Sequence, residues 1–333
     1  MPLRNHTPKA RSIPASEGVA VSVVLTNDVD EQAAALDDWA ETYQQMSHGR
    51  FSGCLRQFQF GRTQLFHESS SHCVHQIGAA WRESLVFVTS DNLTEPARWL
   101  GHMLNRNDVG IFRGDTGFDA VAPAGCHILA AAIDSEDFLR YASIVAPEDF
   151  SPGQPLDRRL VRASGLQAYF SAFLRQTLDT LIEAPQLLAE EAAQKTLRET
   201  LYSQMVELLT TPHRKVSAGT ALQRSTLVLS VRDYVNSRSA ELPSVADICA
   251  EFGVSRRSLQ YAFEEVVGMN PVAYLRTTRL NAVRRDIRAT GPEVPVLDLA
   301  ARWGFWHPSY FSASYKKLFG ELPSATQRQA RTR

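Results

Sequence analysis

The side chains best suited to metal or acid–base chemistry crowd one stretch of the chain: His67, Glu68, His72, Cys73 and His75. Successive histidines five and three residues apart can meet on neighbouring strands, and their N, O and S donors are those zinc or iron accepts. Read that way, the first half is a metal-dependent, cupin-like enzyme. Other signs oppose it. There is no HxH and no HExxH. Cys54, Cys73, Cys126 and Cys249 lie far apart with no CxxC, which excludes a zinc ribbon, a disulfide framework and a clustered cysteine alkyl-acceptor site. Neither a GxSxG nucleophile turn nor a phosphate-cradling P-loop occurs. The expectation is therefore no catalytic residue and no metal, with reduced cysteines in the cytoplasm.

A second group suits recognition rather than catalysis. Arg256, Arg257, Gln260 and Tyr261 follow a Gly253 turn, while Leu259 and Phe263, four apart, point inward. Arginine pairs bidentately with guanine and glutamine with adenine. Fifty-odd residues on, His307, Ser309 and Ser312 stand in the matching positions. Lys316 and Lys317 close that segment and suit phosphate.

The elements that carry these residues repeat. Val245-Ala-Asp-Ile-Cys-Ala-Glu-Phe-Gly253-Val lines up with Val296-Leu-Asp-Leu-Ala-Ala-Arg-Trp-Gly304-Phe at an offset of 51. Leu259, Phe263 and Gly268 then meet Phe311, Tyr315 and Gly320 at an offset of 52. Each copy reads as helix, Gly turn, helix, closing Gly, then Pro, the helix-turn-helix layout. Ser244 and Ser255 are in place to cap the first copy's two helices. Asn270-Pro271 opens a helix to about Thr290, with proline tolerated in its first turn. At 1.5 Å per residue it spans roughly 30 Å, close to the ~34 Å between successive major grooves.

Charge divides the chain at the same place. Residues 214–333 hold 18 Lys+Arg and 10 Asp+Glu, a balance of +8, against −9 for residues 1–213. The basic half is expected to seek a polyanion. Overall, 44% hydrophobic and 21% charged residues exclude a disordered chain. No apolar run reaches the ~20 residues of a membrane span, and Met1 to Ser16 lacks the apolar core of a secretory signal.

The acidic half reads as mixed. Val19, Val21, Val23 and Leu25 alternate as a strand. Asp30 is placed to cap a helix carrying Leu36, Trp39, Tyr43 and Met46 on one face. From Phe51 to about Ile133, short apolar runs (Cys54–Phe60, Gln64–Glu68, Leu85–Thr89, His127–Ile133) alternate with glycine turns, predicting a sandwich or barrel. Beyond Asp134 and the Ser151–Pro155 breaker, helices carry Leu166 to Leu181 and Leu197 to Leu208, closing the core or forming a dimer seam. The fold class is thus α+β: a β-rich sensor with helices over 1–210, a linker over 211–225, and an all-α domain with two helix-turn-helix units over 226–333.

Gly253-Val-Ser-Arg-Arg-Ser-Leu-Gln-Tyr-Ala-Phe263, Gly268-Met-Asn-Pro271, Asp298-Leu-Ala, Gly304-Phe305, Ser309-Tyr-Phe311, Phe319-Gly320 and Pro323 resemble the DNA-binding domain of the AraC/XylS family of transcription regulators. The resemblance covers about Leu222 to Gln329. It implies that Arg257, Gln260 and Tyr261 enter the groove, and that the protein binds double-stranded promoter DNA, activates with RNA polymerase and forms a homodimer. It also implies a small-molecule effector, with no pocket residue identified. Leu280-Asn-Ala-Val-Arg-Arg285 and Trp303-Gly-Phe-Trp-His307 are similar to ethanolamine-utilisation regulators, as, more weakly, is Trp39 to Glu68; that implies ethanolamine, or cobalamin, as effector. Two positions depart from the family: Ala313, often basic, and Thr326, usually aromatic. With Ala313, the second recognition helix is expected to read fewer bases. A scaffold that binds DNA without a ligand is the remaining alternative.

Overall fold

β-Branched and aromatic runs dominate the first half, and they form two stacked sheets. A computed structural model describes residues 19–93, 95–150, 156, 159–162, 164–210, 219–238 and 241–330. The strands are β1 (Val19–Thr26), β2 (Ala40–Gln45), β3 (Gly53–Phe60), β4 (Thr63–Ser70), β5 (Val74–Ala79), β6 (Ser84–Ser90), β7 (Ala97–Trp99), β8 (His102–Leu104), β9 (Asp108–Arg113), β10 (Phe118–Ala122), β11 (His127–Asp134) and β12 (Arg159–Arg162). One sheet runs β1-β3-β4-β11-β6-β9-β12, the other β2-β5-β10-β7-β8.

The seven-stranded sheet is covered on both faces, so several of its strands read as nearly continuous apolar runs. Along β11, Leu129, Ala131 and Ile133 pack outward, with Phe58, Phe60 and Phe87, on helices α2 (Ser135–Val145), α3 (Ser164–Glu183) and α4 (Glu191–Thr210). Phe138, Phe170, Leu174, Tyr202 and Met205 are the helices' side of that core. The alternate residues turn inward to the second sheet: Leu55, Phe66 and Ala130 in one cluster, Val86 and Phe112 with Trp99 and Leu104 in another. The two amphipathic helices α3 and α4 therefore close the core of the N-terminal half.

The helix expected over Leu36 to Met46 is not there. A five-residue helix, α1 (Val29–Ala33), is capped by Asp28, whose carboxylate accepts from the backbone of Asp30 and Glu31; Asp30 is not the cap. The chain then enters β2, paired with β5 along its length. Trp39, Tyr43 and Met46 share helical spacing, but Thr42 and Tyr43 favour a pleated edge and the pairing outweighs the weak helical period.

Residues 211–218 of the expected linker, like the Ser151–Pro155 breaker, lie outside the described residues. Helix α5 (Gly219–Ser237) begins within the stretch read as linker. The rest follows the repeat: α6 (Val245–Phe252), α7 (Arg256–Val266), α8 (Pro271–Thr290), α9 (Val296–Arg302), α10 (Pro308–Phe319) and α11 (Pro323–Ala330). Ser244 and Asp247 form a reciprocal capping box, Ser255 and Asn270 cap α7 and α8, and Gly253 ends α6 at φ 60°. Each unit has its own core: Ile248, Leu259, Phe263 and Tyr274 in the first, Leu299, Phe311, Tyr315 and Phe319 in the second. The aliphatic and aromatic side of α8 serves both, which ties the two units together.

Candidate nucleic-acid interface and sensor cavity

Because Leu259, Ala262 and Phe263 are drawn into the core, the opposite side of α7 is left to solvent. Arg256, Arg257, Gln260 and Tyr261 all lie on that exposed side. Arg257 donates to the Tyr261 hydroxyl from Nε (3.3 Å) and Nη2 (3.1 Å), with its guanidinium 5.5 Å from the ring centre. Gln260 donates to Glu264 at 2.9 Å. These are intrahelical contacts to exposed partners, so the groups are presented together and remain free to exchange for base edges.

In the second unit His307 is the residue before α10, and His307 and Ser309 are exposed while Ser312 is half-buried. Lys316 and Lys317 are exposed in the last turn; burial, and then the charge of Lys317, hold the His48 imidazole's pKa below its usual range. Sequence reasoning missed three neighbours. Trp306 is 72% exposed in the turn before α10, and Tyr310 is 59% exposed on it. Arg276 of α8 donates to the Tyr310 hydroxyl at 2.6 Å, also bonds Ser314, and lies 4.3 Å from the Tyr310 ring centre. The signal for Tyr310 was present: a residue just before inward Phe311 must face out.

Thr326 is explained. Its hydroxyl meets Tyr315 Oη at 2.9 Å and donates to Glu321 at 2.8 Å, beneath the second unit, so a polar residue is seated there. Glu321 in turn accepts from Arg284 at 2.8 Å.

Part of the positive charge of the C-terminal half is satisfied inside the chain. Arg284 donates to Asp28 at 2.9 Å, Arg288 bonds Asp28 and Glu31, and Arg285 meets Asp30 at 3.3 Å. Arg232 of α5 reaches Asp119 of β10 at 3.0 Å, and His75 holds the other Asp119 oxygen at 3.0 Å. β2 adds uncharged bonds: Gln44 accepts from Thr278 at 3.0 Å, and the Gln45 backbone exchanges bonds with the Asn281 side chain at 3.1 and 3.2 Å. The C-terminal ends of both recognition helices are also anchored. Arg98 donates to the Glu265 carbonyl at 2.9 Å, and Gln45 and Gly49 donate to the Leu318 carbonyl at 2.7 and 3.0 Å. The N-terminal halves of α7 and α10 face solvent while their last turns rest on the sensor.

Between the sheets lies a cavity of about 650 Å³, including its mouth. Its walls are mainly apolar. Trp39 meets Phe66, Phe112 and Phe118 edge to face at 5.3, 6.2 and 6.0 Å. One end is polar: Glu41, Tyr43, Glu68 and Gln76. Glu68 accepts from Gln32 (2.9 Å), Tyr43 (3.1 Å) and Gln76 (3.0 Å). Burial raises both carboxyls above the usual range, and Glu68 raises Glu41 further.

The residues of the metal reading are dispersed. His67, on the helix-facing side of β4, meets His127 edge to face with ring centres 5.2 Å apart. His72 bonds Ser71 and the His48 carbonyl, and His75 is committed to Asp119 on the other sheet. Among the described residues no group of three or more His, Cys, Asp or Glu is arranged to hold a metal ion. Nor is any helix among them long and apolar enough to cross a membrane.

Comparison with known proteins agrees with the repeat. Residues 248–329 match the family described as "Helix-turn-helix domain". The chain is 37% identical over 93 residues to the probable thc operon regulatory protein of Rhodococcus erythropolis, covering 28% of each chain. It is 33% identical over 95 residues to the XylDLEGF operon transcriptional activator of Pseudomonas putida, covering 28% of this chain and 29% of that one. The matched segment thus spans less than a third of either relative. Among solved structures, the AraC-like transcriptional activator CuxR aligns over 78% of this chain and 85% of its own at 11% identity and a TM-score of 0.35. The C-terminal part of the chain is a helix-turn-helix domain of the type these regulators carry.

Proposed function

We propose that the protein is a transcription regulator of the AraC/XylS type, which reads promoter DNA with two helix-turn-helix units and takes its signal from a small molecule in the sensor cavity. The observation that carries this reading is the pair of recognition helices with polar, outward N-terminal halves, joined by the 20-residue α8. Arg257, Gln260 and Tyr261 read bases from the first unit, with Arg256 beside them. His307, Ser309 and Ser312 form the smaller second set, and Lys316 and Lys317 add phosphate attraction. The operon-regulator names of the two relatives support an activator of a catabolic operon; a cytoplasmic location, work with RNA polymerase and a homodimer belong to the same proposal. Sensor and reader divide at 211–225. Ethanolamine, or cobalamin, is the effector that the narrower sequence resemblance proposes.

The test is selection of DNA sequences by the full chain, followed by affinity measurements for Arg257→Ala and Gln260→Ala across operator variants. Each loss is expected to cost about 1–3 kcal/mol and to relax preference at one base pair. Unchanged base preference in both variants overturns the docking assignment.

A further inference from the structure

The sensor cavity carries a charge problem that its own residues leave unsolved. Glu41 and Glu68 enter the same end of it. Among the described residues Glu68 is served only by neutral donors, from Gln32, Tyr43 and Gln76. Glu41 Oε2 is closed off from solvent and has no hydrogen-bond partner. No Lys or Arg acts on either carboxyl among the described residues. Arg98 lines the cavity, but its guanidinium is turned to the carbonyl of Glu265 on α7. An unpaired buried carboxylate is among the costliest groups a fold can retain, and two side by side are costlier still. Empty, such a pair is relieved by holding protons, as the raised carboxyls here do; a positively charged occupant lets it ionise.

The remaining walls describe the rest of that occupant. Trp39, Phe66, Phe112 and Phe118 form an aromatic enclosure continuous with the acidic end. Aromatic faces attract cations, and aromatic walls reward an apolar body with dispersion and area burial. The empty space beside these walls is about 650 Å³ counting its open mouth, so the site is open to solvent on the side from which an occupant enters. A two-carbon polar amine would satisfy the carboxylates and leave the enclosure unfilled.

We propose that this cavity binds an organic ammonium ion with an apolar, ring-sized body, held by Glu41 and Glu68 at its charged end and by the Trp39–Phe66–Phe112–Phe118 enclosure along its body. This rests on the sensor reading above and names its ligand class. Glu41 supplies the free oxygen for the ammonium group. Tyr43 and Gln76 hold Glu68 in place as the second acceptor. β2 carries both Glu41 and Tyr43 to the cavity and, directly after them, Gln44 and Gln45 to α8, so an occupant that reorders the acidic end bears directly on the strand that holds the DNA-binding domain.

The experiment is calorimetric titration of the full chain with 3-phenylpropylamine, 3-phenylpropanol, 3-phenylpropanoate and ethanolamine, in wild type and Glu41→Gln. The aryl amine is expected to bind at least about 30-fold more tightly than the alcohol, the fold-change for leaving one partner of a buried charge pair alone. The acid is expected not to bind, and ethanolamine to bind more weakly than the aryl amine. Glu41→Gln is expected to abolish the preference for amine over alcohol while leaving alcohol affinity within about threefold, which shows that the cavity is still formed. The proposal is overturned if the alcohol or the acid binds as tightly as the amine, if ethanolamine binds more tightly than the aryl amine, if none of the four binds, or if Glu41→Gln keeps the amine preference. Fluorescence anisotropy on the selected operator, with the same preparations, separates the two readings. DNA binding that persists while the amine preference fails removes the ligand class alone, whereas a wild-type chain that selects no DNA removes the regulator reading.

Discussion

Replacing Arg284 tests whether sensor and DNA-binding domain are held together by a buried ion network. Arg284 is 8% exposed, lies 4.7 Å from the Phe319 ring centre, and bridges Asp28 of the sensor to Glu321 beneath the second helix-turn-helix unit. Arg284→Met keeps much of the length and apolar stem and removes the charge. Breaking a buried pair by removing one partner typically costs 3–5 kcal/mol, because the other charge is left behind. Here the loss is divided unevenly. Asp28 keeps Arg288 at 2.5 Å, whereas Glu321 keeps, among the described residues, uncharged donors: Thr326 at 2.8 Å and Gln329 at 3.3 Å. The lower end of the range, about 3 kcal/mol, is therefore expected. The assay is urea denaturation of the full chain, followed in parallel by far-ultraviolet circular dichroism and tryptophan fluorescence, so that separate unfolding of the two parts would be seen. A double-mutant cycle with Glu321→Gln should give a coupling above about 1 kcal/mol, and the cycle with Asp28→Asn a smaller one. A loss below about 1 kcal/mol with no coupling to either acid would refute the reasoning, and the network would then be contact without consequence.

Three further outcomes follow from other parts of the molecule. His67 has its pKa pushed down to about 4, first by burial, then by His127, Arg56 and Arg175, and its Nε2 is buried without a partner. The unfolded chain takes up this proton near pH 6.5 and the folded chain only near pH 4, so stability is full above pH 6.5 and falls between those values; with screening through its partly open side the loss is about 2 kcal/mol, and urea midpoints against pH should lose that component in His67→Gln. Thr326→Val leaves Tyr315 Oη and one Glu321 contact unsatisfied in a buried site, and should cost about 1–3 kcal/mol in the same denaturation assay. Lys316→Ala should lower the salt slope of operator binding by about one, and Lys317→Ala, beside His48, by less; equal slopes for both would place the two lysines alike on DNA.

The C-terminal domain was legible because local signals agree there. A cap, a Gly turn and an inward aliphatic–aromatic pair recur twice, so Ser244, Gly253, Leu259 and Phe263 were each assigned correctly from spacing alone. In the sensor, the strands buried on both faces were visible as apolar runs: β3, β4, β6 and β11. β1, at the edge of that sheet, was visible as an alternation, but the strands of the second sheet were not. β2, β5 and β10 mix Glu, Gln, His and Asp with apolar residues, because one side lines a polar-ended cavity and the other meets α5 and α8. That mixture has neither a clear period of two nor an apolar run, and in β2 it imitated a helix. The acidic end of the cavity was hidden for a related reason. Glu68 stood out only as a metal ligand candidate, and Glu41, 27 residues earlier, meets it only after β2 and β4 are brought to facing sheets.

The charge asymmetry shows where composition misleads and what the structure adds. A balance of +8 beside one of −9 suggested a DNA-seeking module joined to an acidic one, and part of that asymmetry is instead attraction between the two. Arg232, Arg284, Arg285 and Arg288 are paired with Asp119, Asp28, Asp30 and Glu31, on one side of α5 and α8, while Arg256, Arg257 and Lys316 remain in solvent. Only the second group is available to phosphate and bases. The first group fixes where the reading helices sit relative to the cavity, with β2 as the shared element: its Glu41 and Tyr43 face the ligand space and its Gln44 and Gln45 bond α8. A change at the acidic end of the cavity therefore has two residues of strand to cross before it reaches the helix that joins both DNA-reading units. A ligand shifts the balance of states only through unequal affinity for them; under the ammonium site proposed above, that inequality would arise at Glu41, on the strand whose Gln44 and Gln45 bond α8.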